Sequence, residues 1–220
     1  MAQLLVVKAN PNAAEHSFSL QMAKAFVETY KAENPNDEVV ELDLYSMGVP
    51  LIDSDVLTAW GALREGTEFT SLTAEQQKKV GAIGALTDQF VAADKFVFVT
   101  PMWNLSVPPL MRAYIDTILV AGKTFRYTAE GPQGLMAGKP VVHLQARGGY
   151  YSDGPAASVE FGDSYLKAAL GFIGLNIQDS VIAEGHAYAP DQAQAIKEAA
   201  VAKAREAAKH MAAMAPVQVG

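Results

Sequence analysis

Three short segments of this 220-residue chain carry residue types suited to holding a ligand. The first runs Asn10-Pro11-Asn12-Ala13-Ala14-Glu15-His16-Ser17-Phe18-Ser19 and sets an amide and two hydroxyls directly before a helical pattern. Backbone N–H groups and the helix dipole favour an anion such as phosphate at that point, and Ser17 and Ser19 would add donors. Ser17 reads equally as an ordinary N-cap. The second segment, Pro101-Met102-Trp103-Asn104-Leu105-Ser106-Val107-Pro108-Pro109, offers an aromatic ring, a thioether and an amide. That mixture suits a flat aromatic ligand, which needs an apolar contact face and a few polar groups at its edge. A Trp anchoring a rigid turn between prolines is the plainer alternative. The third, Ala146-Arg147-Gly148-Gly149-Tyr150-Tyr151, has a glycine pair that lets backbone N–H groups approach a ligand closely, or simply makes a tight turn.

Other chemistries lack their residues. There is no cysteine, which excludes disulfides, Cys-ligated metals and thiol nucleophiles. His16, His143, His186 and His210 show no ligand spacing, so no metal site is expected, and His143 inside an apolar run reads as a satisfied core residue. Neither G-x-G-x-x-G nor G-x-S-x-G occurs. Gly134-Leu135-Met136-Ala137-Gly138-Lys139 is one spacer short of a phosphate-binding P-loop, and Pro140 stands where Ser or Thr must bind magnesium.

The elements that must position the three segments follow from hydrophobic patterning. Strands are expected at Gln3–Ala9, Glu38–Leu44, Asp94–Thr100, Pro140–Gln145 and Asp179–Ala183. Helices are expected at Ser17–Ala32, from a Thr73/Gln76 capping box to Ala92, at Leu110–Val120, at Ser158–Gly171, and from an Asp191 cap to Met214. Tyr45–Leu72 reads as irregular and Gly122–Gly138 as a glycine-rich excursion. Alternating strands and helices imply an α/β fold: a doubly wound, five-stranded parallel sheet with helices on both faces, forming a single domain over 1–220. Such sheets bind ligands beyond the carboxyl ends of their strands, at the topological switch point. The three segments fall at the ends of strands one, three and four. A phosphate-suited loop, an aromatic loop and a glycine pair on one sheet edge suit a phosphorylated aromatic cofactor, flavin mononucleotide (FMN) being the natural candidate.

Composition narrows the partners. With 17 Lys and Arg against 24 Asp and Glu the net charge is −7, which argues against sequence-independent nucleic-acid binding. The start MAQLLVVKAN has no basic region or long apolar run, and no stretch is long enough to span a bilayer, so the cytoplasm is the expected compartment.

At the three loops the chain resembles the FMN-dependent NADH azoreductase family, within the flavodoxin-like NAD(P)H:quinone reductases. The resemblance covers nearly the whole chain and is carried by Pro101-Met102-Trp103-Asn104, Gly122–Thr128 with Gly131–Leu135, and Arg147-Gly148-Gly149; Gly171–Gly174 and Ala183-Glu184-Gly185 add to it. It implies a homodimer with one tightly bound FMN per subunit and NADH or NADPH as co-substrate. Electrons would pass to a small aromatic acceptor such as a quinone or an azo compound. By position, Ser17, Phe18 and Ser19 would hold the phosphate, with Asn10 in place of the usual Ser. Met102, Trp103, Asn104 and Leu105 would line the flavin ring, and Ala146, Arg147, Gly148 and Gly149 its polar edge. Tyr127 and Phe172 would shape the substrate pocket across the dimer, with Arg64 at its mouth. Trp103 stands where Tyr is common, and Ala146 where Ser or Thr is frequent. No acid or base catalyst is expected from the protein, since solvent or a hydroxyl such as that of Tyr127 can supply protons. The rival reading is a flavodoxin-like electron carrier reduced by a protein partner, which the −7 charge would suit.

Overall fold

The computed structural model describes residues 1–215; the one-domain expectation for 1–220 extends to 216–220, which lie outside them. Five strands, β1 (Gln3–Lys8), β2 (Glu38–Asp43), β3 (Lys95–Pro101), β6 (Val141–Arg147) and β7 (Ile177–Glu184), pair in parallel in the order β2-β1-β3-β6-β7. β1 lies between β2 and β3, so the chain reverses its winding there and opens a crevice beyond the carboxyl ends of β1 and β3.

Both faces of the sheet are covered, which explains the unbroken apolar runs of β1 and β3. Leu4, Val6, Val97, Val99, Val142 and Leu144 pack with residues of α1 (Phe18–Glu33) and α7 (Ala193–Ala213). Leu5, Val7, Phe96, Phe98 and Val141 pack on the opposite face with residues of α4 (Ala74–Ala92), α5 (Pro109–Ile118) and α6 (Asp163–Phe172). The small residues Ala200, Ala204, Ala207 and Ala208 form the buried stripe of α7.

Several boundaries depart from the expected ones. Tyr45–Leu72 is not irregular: it holds the single turn α2 (Leu44–Met47) and the helix α3 (Ser54–Arg64), capped by Asp53 through Val56 N–H. Only Val56 and Ala59 of α3 are buried, so its apolar stripe is too thin to read. Gly122–Gly138 contains an antiparallel hairpin, β4 (Phe125–Thr128) with β5 (Gly131–Gly134). α6 starts at Asp163 rather than Ser158: Pro155–Val159 forms a short 3-10 turn, and Phe161 N–H then donates to Leu105 O at 2.9 Å, which keeps the chain out of the helix until after it. Asp191 does not cap α7; it lies in a short 3-10 turn begun by Pro190, and α7 follows from Ala193. The Thr73/Gln76 capping box of α4 is formed as expected.

Candidate functional site

The first segment folds into a tight donor cluster. Asn10 Nδ2 donates to Ser17 Oγ at 2.7 Å and Ser19 Oγ at 3.2 Å, and all three residues are buried. Ser17 also accepts from Leu20 N–H at 3.2 Å, so it is a true N-cap of α1 while its hydroxyl faces the cluster. The first-turn N–H groups of Phe18 and Ser19 have no helical carbonyl to pair with. These groups border a cleft with Asn12, His16, Pro101, Met102, Trp103, Ala146, Gly148 and His186. No Lys, Arg, Asp or Glu lines it, so an anion there would rest on neutral donors and the helix terminus.

The second segment is a tight turn at the end of β3. Trp103 N–H and Ser106 N–H each donate to the other's carbonyl, at 2.9 and 3.0 Å. Asn104 (φ 47°) and Leu105 (φ 71°) therefore occupy the two central positions with positive φ, the pattern of a type I′ turn. Asn tolerates that region; Leu does so under strain, and such strain gathers at functional sites. The turn is tied down by Met102 N–H to Ala146 O (2.8 Å) and Ser106 Oγ to Phe161 O (3.0 Å). Tyr45 meets the Trp103 ring edge-on at 6.2 Å.

The third segment closes the cleft. Met102, Asn104, Leu105, Gly148, Gly149 and Tyr151 border a second cleft that shares Met102 and Gly148 with the first. The two make one trough, with hydroxyls at the Ser17 end and a mixed apolar and backbone floor at the other. A Cβ on Gly149 would stand 3.1 Å from the Tyr151 ring. The donor chemistry fits a phosphorylated flat ring system: donors for the phosphate at one end, Met102 and Trp103 along the middle, and the glycine pair where the ring edge would lie.

The structure thus brings together Asn10, Ser17, Phe18, Ser19, Pro101, Met102, Trp103, Asn104, Leu105, Ala146, Gly148 and Gly149. Arg147 stands apart from these. That residue is only 3% exposed and borders neither cleft. Its guanidinium meets Gln145, Glu160 and Glu184. Arg64, Tyr127 and Phe172 also border neither cleft. Tyr127 (74% exposed) and Phe172 (39% exposed) flank Phe125, at ring separations of 5.4 and 4.7 Å.

Four lining residues have no role assigned from the sequence: Asn12, His16 and Tyr151, which lie within the three segments, and His186. His186 follows β7, whose loop was not among the three inspected. It arrives because Gly185 N–H donates to Arg147 O and Gly149 O, both at 3.1 Å, zipping that loop to the third segment. Its ring lies 4.6 Å from that of Phe18, and burial holds its imidazole below the ordinary value. The sequence signal was present in Gly185, whose φ of +87° only glycine adopts easily. His143 is the satisfied core residue expected, bonded to Thr100 Oγ1 (2.9 Å) and Asp163 Oδ1 (2.8 Å). Burial would raise the Asp163 carboxyl, but hydrogen bonds from His143, Lys167 and Ser180 hold it well below the usual carboxylate range.

A parallel sheet in the order β2-β1-β3-β6-β7 with a donor-lined trough at its switch point defines a flavodoxin-like nucleotide-binding protein. The chain belongs to the Flavodoxin_2 family of flavodoxin-like fold, which matches residues 2–208. Among similar proteins is FMN-dependent NADH:quinone oxidoreductase 2 of Bacillus subtilis, 51% identical over 209 residues, covering 95% of this chain and 99% of the relative. A solved structure of an FMN-dependent NADH-azoreductase from Bacillus anthracis in complex with FMN superposes with a TM-score of 0.89 at 33% identity, covering 96% of this chain and 100% of that one. The azoreductase AzrA superposes equally well, with a TM-score of 0.89 at 42% identity over 95% of this chain and 100% of its own.

Among the described residues, no helix is long and apolar enough to cross a membrane. Nor do they contain a group of three or more His, Asp or Glu side chains able to hold a metal ion.

Proposed function

We propose that this chain is an FMN-dependent NAD(P)H oxidoreductase that reduces quinones and azo or related planar aromatic compounds by two-electron transfer. The observation that carries this reading is the continuous trough, polar and hydroxyl-lined at Ser17 and Ser19, apolar at Met102 and Trp103. When bound there, FMN supplies the redox chemistry, accepting hydride from NADH and delivering two electrons to the acceptor. The chain's own residues bind and orient. Asn10, Ser17, Phe18 and Ser19 hold the phosphate, while Pro101, Met102, Trp103, Asn104 and Leu105 support one side of the ring. Ala146, Arg147, Gly148 and Gly149 meet its polar edge through their main chain.

The protein works as a cytoplasmic homodimer in this reading. Arg64, Tyr127 and Phe172 border neither cleft of the trough, which suits residues that complete the partner's pocket. The exposed Phe125–Tyr127–Phe172 cluster supplies apolar surface for such an interface. A second copy seated on it would enclose the open side of the trough and leave room for one flat molecule above the ring. Donor and acceptor then occupy the same place in turn. Initial-rate measurements varying NADH and quinone should give parallel reciprocal lines; lines that intersect would require a ternary complex and overturn the single-pocket scheme.

A further inference from the structure

On the α6 side of the sheet, alternate residues of β6 read Val141, His143, Gln145 and Arg147, and Thr100 of the neighbouring β3 faces the same layer. These polar groups are buried, and hydrogen bonds join them in one chain. Arg147 Nε donates to Gln145 Oε1 at 2.6 Å, and Gln145 Nε2 donates to Thr100 Oγ1 at 3.2 Å. The Asp163 carboxylate is an acceptor only, so His143 donates to it from Nδ1 at 2.8 Å. Its Nε2 stands 2.9 Å from the Thr100 hydroxyl. Arg147, Gln145, Thr100, His143 and Asp163 thus form one hydrogen-bonded chain from a cation to an anion. α6 passes close above it: a Cβ on Gly162 would stand 2.5 Å from Gln145 Nε2.

The free edges of the Arg147 guanidinium reach two carboxylates. One nitrogen lies 3.1 Å from Glu160 Oε1, which accepts the N–H groups of Gly162 and Asp163 at the start of α6. The other lies 3.6 Å from Glu184 Oε2. That same oxygen accepts Tyr151 N–H at 3.0 Å and Ser152 N–H at 3.1 Å. The planar fork therefore bridges the start of α6 and the turn that forms one wall of the trough, making one hydrogen bond and two ion pairs at once, which Lys cannot reproduce.

We propose that Arg147 is a positioning residue: it sets the Gly148–Ser152 wall of the flavin trough through Glu184, and the buried hydrogen-bonded chain to Asp163 fixes its orientation. This rests on the flavin reading of the trough. Without the cation, Glu160 and Glu184 face each other at the edge of the core and the wall loosens where the ring edge sits, while the Ser17 cluster is untouched.

The test is flavin affinity, by fluorescence quenching, for FMN and for riboflavin, together with the midpoint potential of the bound flavin. Three variants are compared with the parent at a temperature where each is folded: Arg147→Gln, Arg147→Lys and Thr100→Val. Arg147→Gln should weaken both flavins by the same factor, roughly tenfold or more, and shift the potential. Arg147→Lys should recover part of that loss, and Thr100→Val, which cuts the chain but keeps the cation, should show a smaller change in the same direction. If Arg147→Gln does not fold, the other two variants carry the test. Affinities within about twofold of the parent with an unchanged potential would overturn the proposal, as would a loss confined to FMN, which would put Arg147 at the phosphate. A parent protein that retains no flavin would instead overturn the flavin reading itself.

Discussion

Replacing Ser17 with Asp should all but abolish FMN binding while leaving riboflavin binding nearly unchanged. The substitution keeps the helix. Ser17 caps α1 by accepting Leu20 N–H, Asp is an equally good N-cap, and a negative charge at a helix N-terminus is favourable. Asn10 Nδ2, now 2.7 Å from the Ser17 hydroxyl, can donate to the new carboxylate. Its charge, however, stands where the phosphate must sit, in a cleft whose lining has no Lys or Arg to offset it. At an effective dielectric constant of about 20, unit charges about 4 Å apart repel by about 4 kcal/mol. Even with part of that screened, the FMN dissociation constant should rise roughly 100- to 1000-fold. Riboflavin has no phosphate and should change by no more than about threefold. Equal losses for the two flavins, or no loss for FMN, would mean the phosphate lies elsewhere.

Gly134→Ala should be the most damaging small substitution outside the trough. A Cβ at this position would stand 2.2 Å from Gly174 N and 2.2 Å from Ile173 C, both backbone atoms that no rotamer change can move. The hairpin β4–β5 docks there on the end of α6, with Met136 N–H donating to Ile173 O at 2.9 Å and the Phe125 ring 4.7 Å from that of Phe172. Admitting the methyl group means lifting the hairpin and forfeiting those contacts, at a cost of about 3 kcal/mol or more. Denaturant unfolding measures this, and sedimentation reports whether dimerisation falls with it, as it should if Tyr127 and Phe172 belong to the interface. Gly84→Ala is the control. No atom lies within 4 Å of that Cβ position in the middle of α4, so removing a helical glycine there should stabilise by about 0.5–1 kcal/mol. A Gly134→Ala protein as stable as its parent would show that the hairpin does not dock as described.

Much of the architecture was legible because it rests on burial. Leu4 to Val7 and Phe96 to Val99 are apolar without alternation because helices cover both faces of the sheet, and the Thr73/Gln76 box marks α4 from four residues. The trough was legible to the extent that it is local in sequence: each of the three segments ends a strand, and the topology alone brings those ends together. What stayed hidden depends on partners distant in the chain. Arg147 reads as a ligand because it sits in the right loop. Only the fold shows that Glu160 and Glu184 claim its guanidinium. Phe161 pairs with Leu105 across the crevice, and that tertiary bond, not any local signal, delays α6 to Asp163. The hairpin at Phe125–Gly134 looks like a loop because its glycines and proline have poor strand propensity. Gly134 is there for close backbone approach. His186 enters through a backbone zipper between the loops after β6 and β7, a pairing invisible until the strands are in register.

The most direct test of the account is an anaerobic titration of the FMN-loaded protein with NADH, followed by flavin absorbance. Stoichiometric bleaching, reversed on adding a quinone, is the predicted result and establishes a two-electron reductase acting on small molecules. A bound flavin that NADH leaves oxidised would contradict it and point to a carrier reduced by another protein; a chain that retains no flavin would contradict the reading of the trough as a whole.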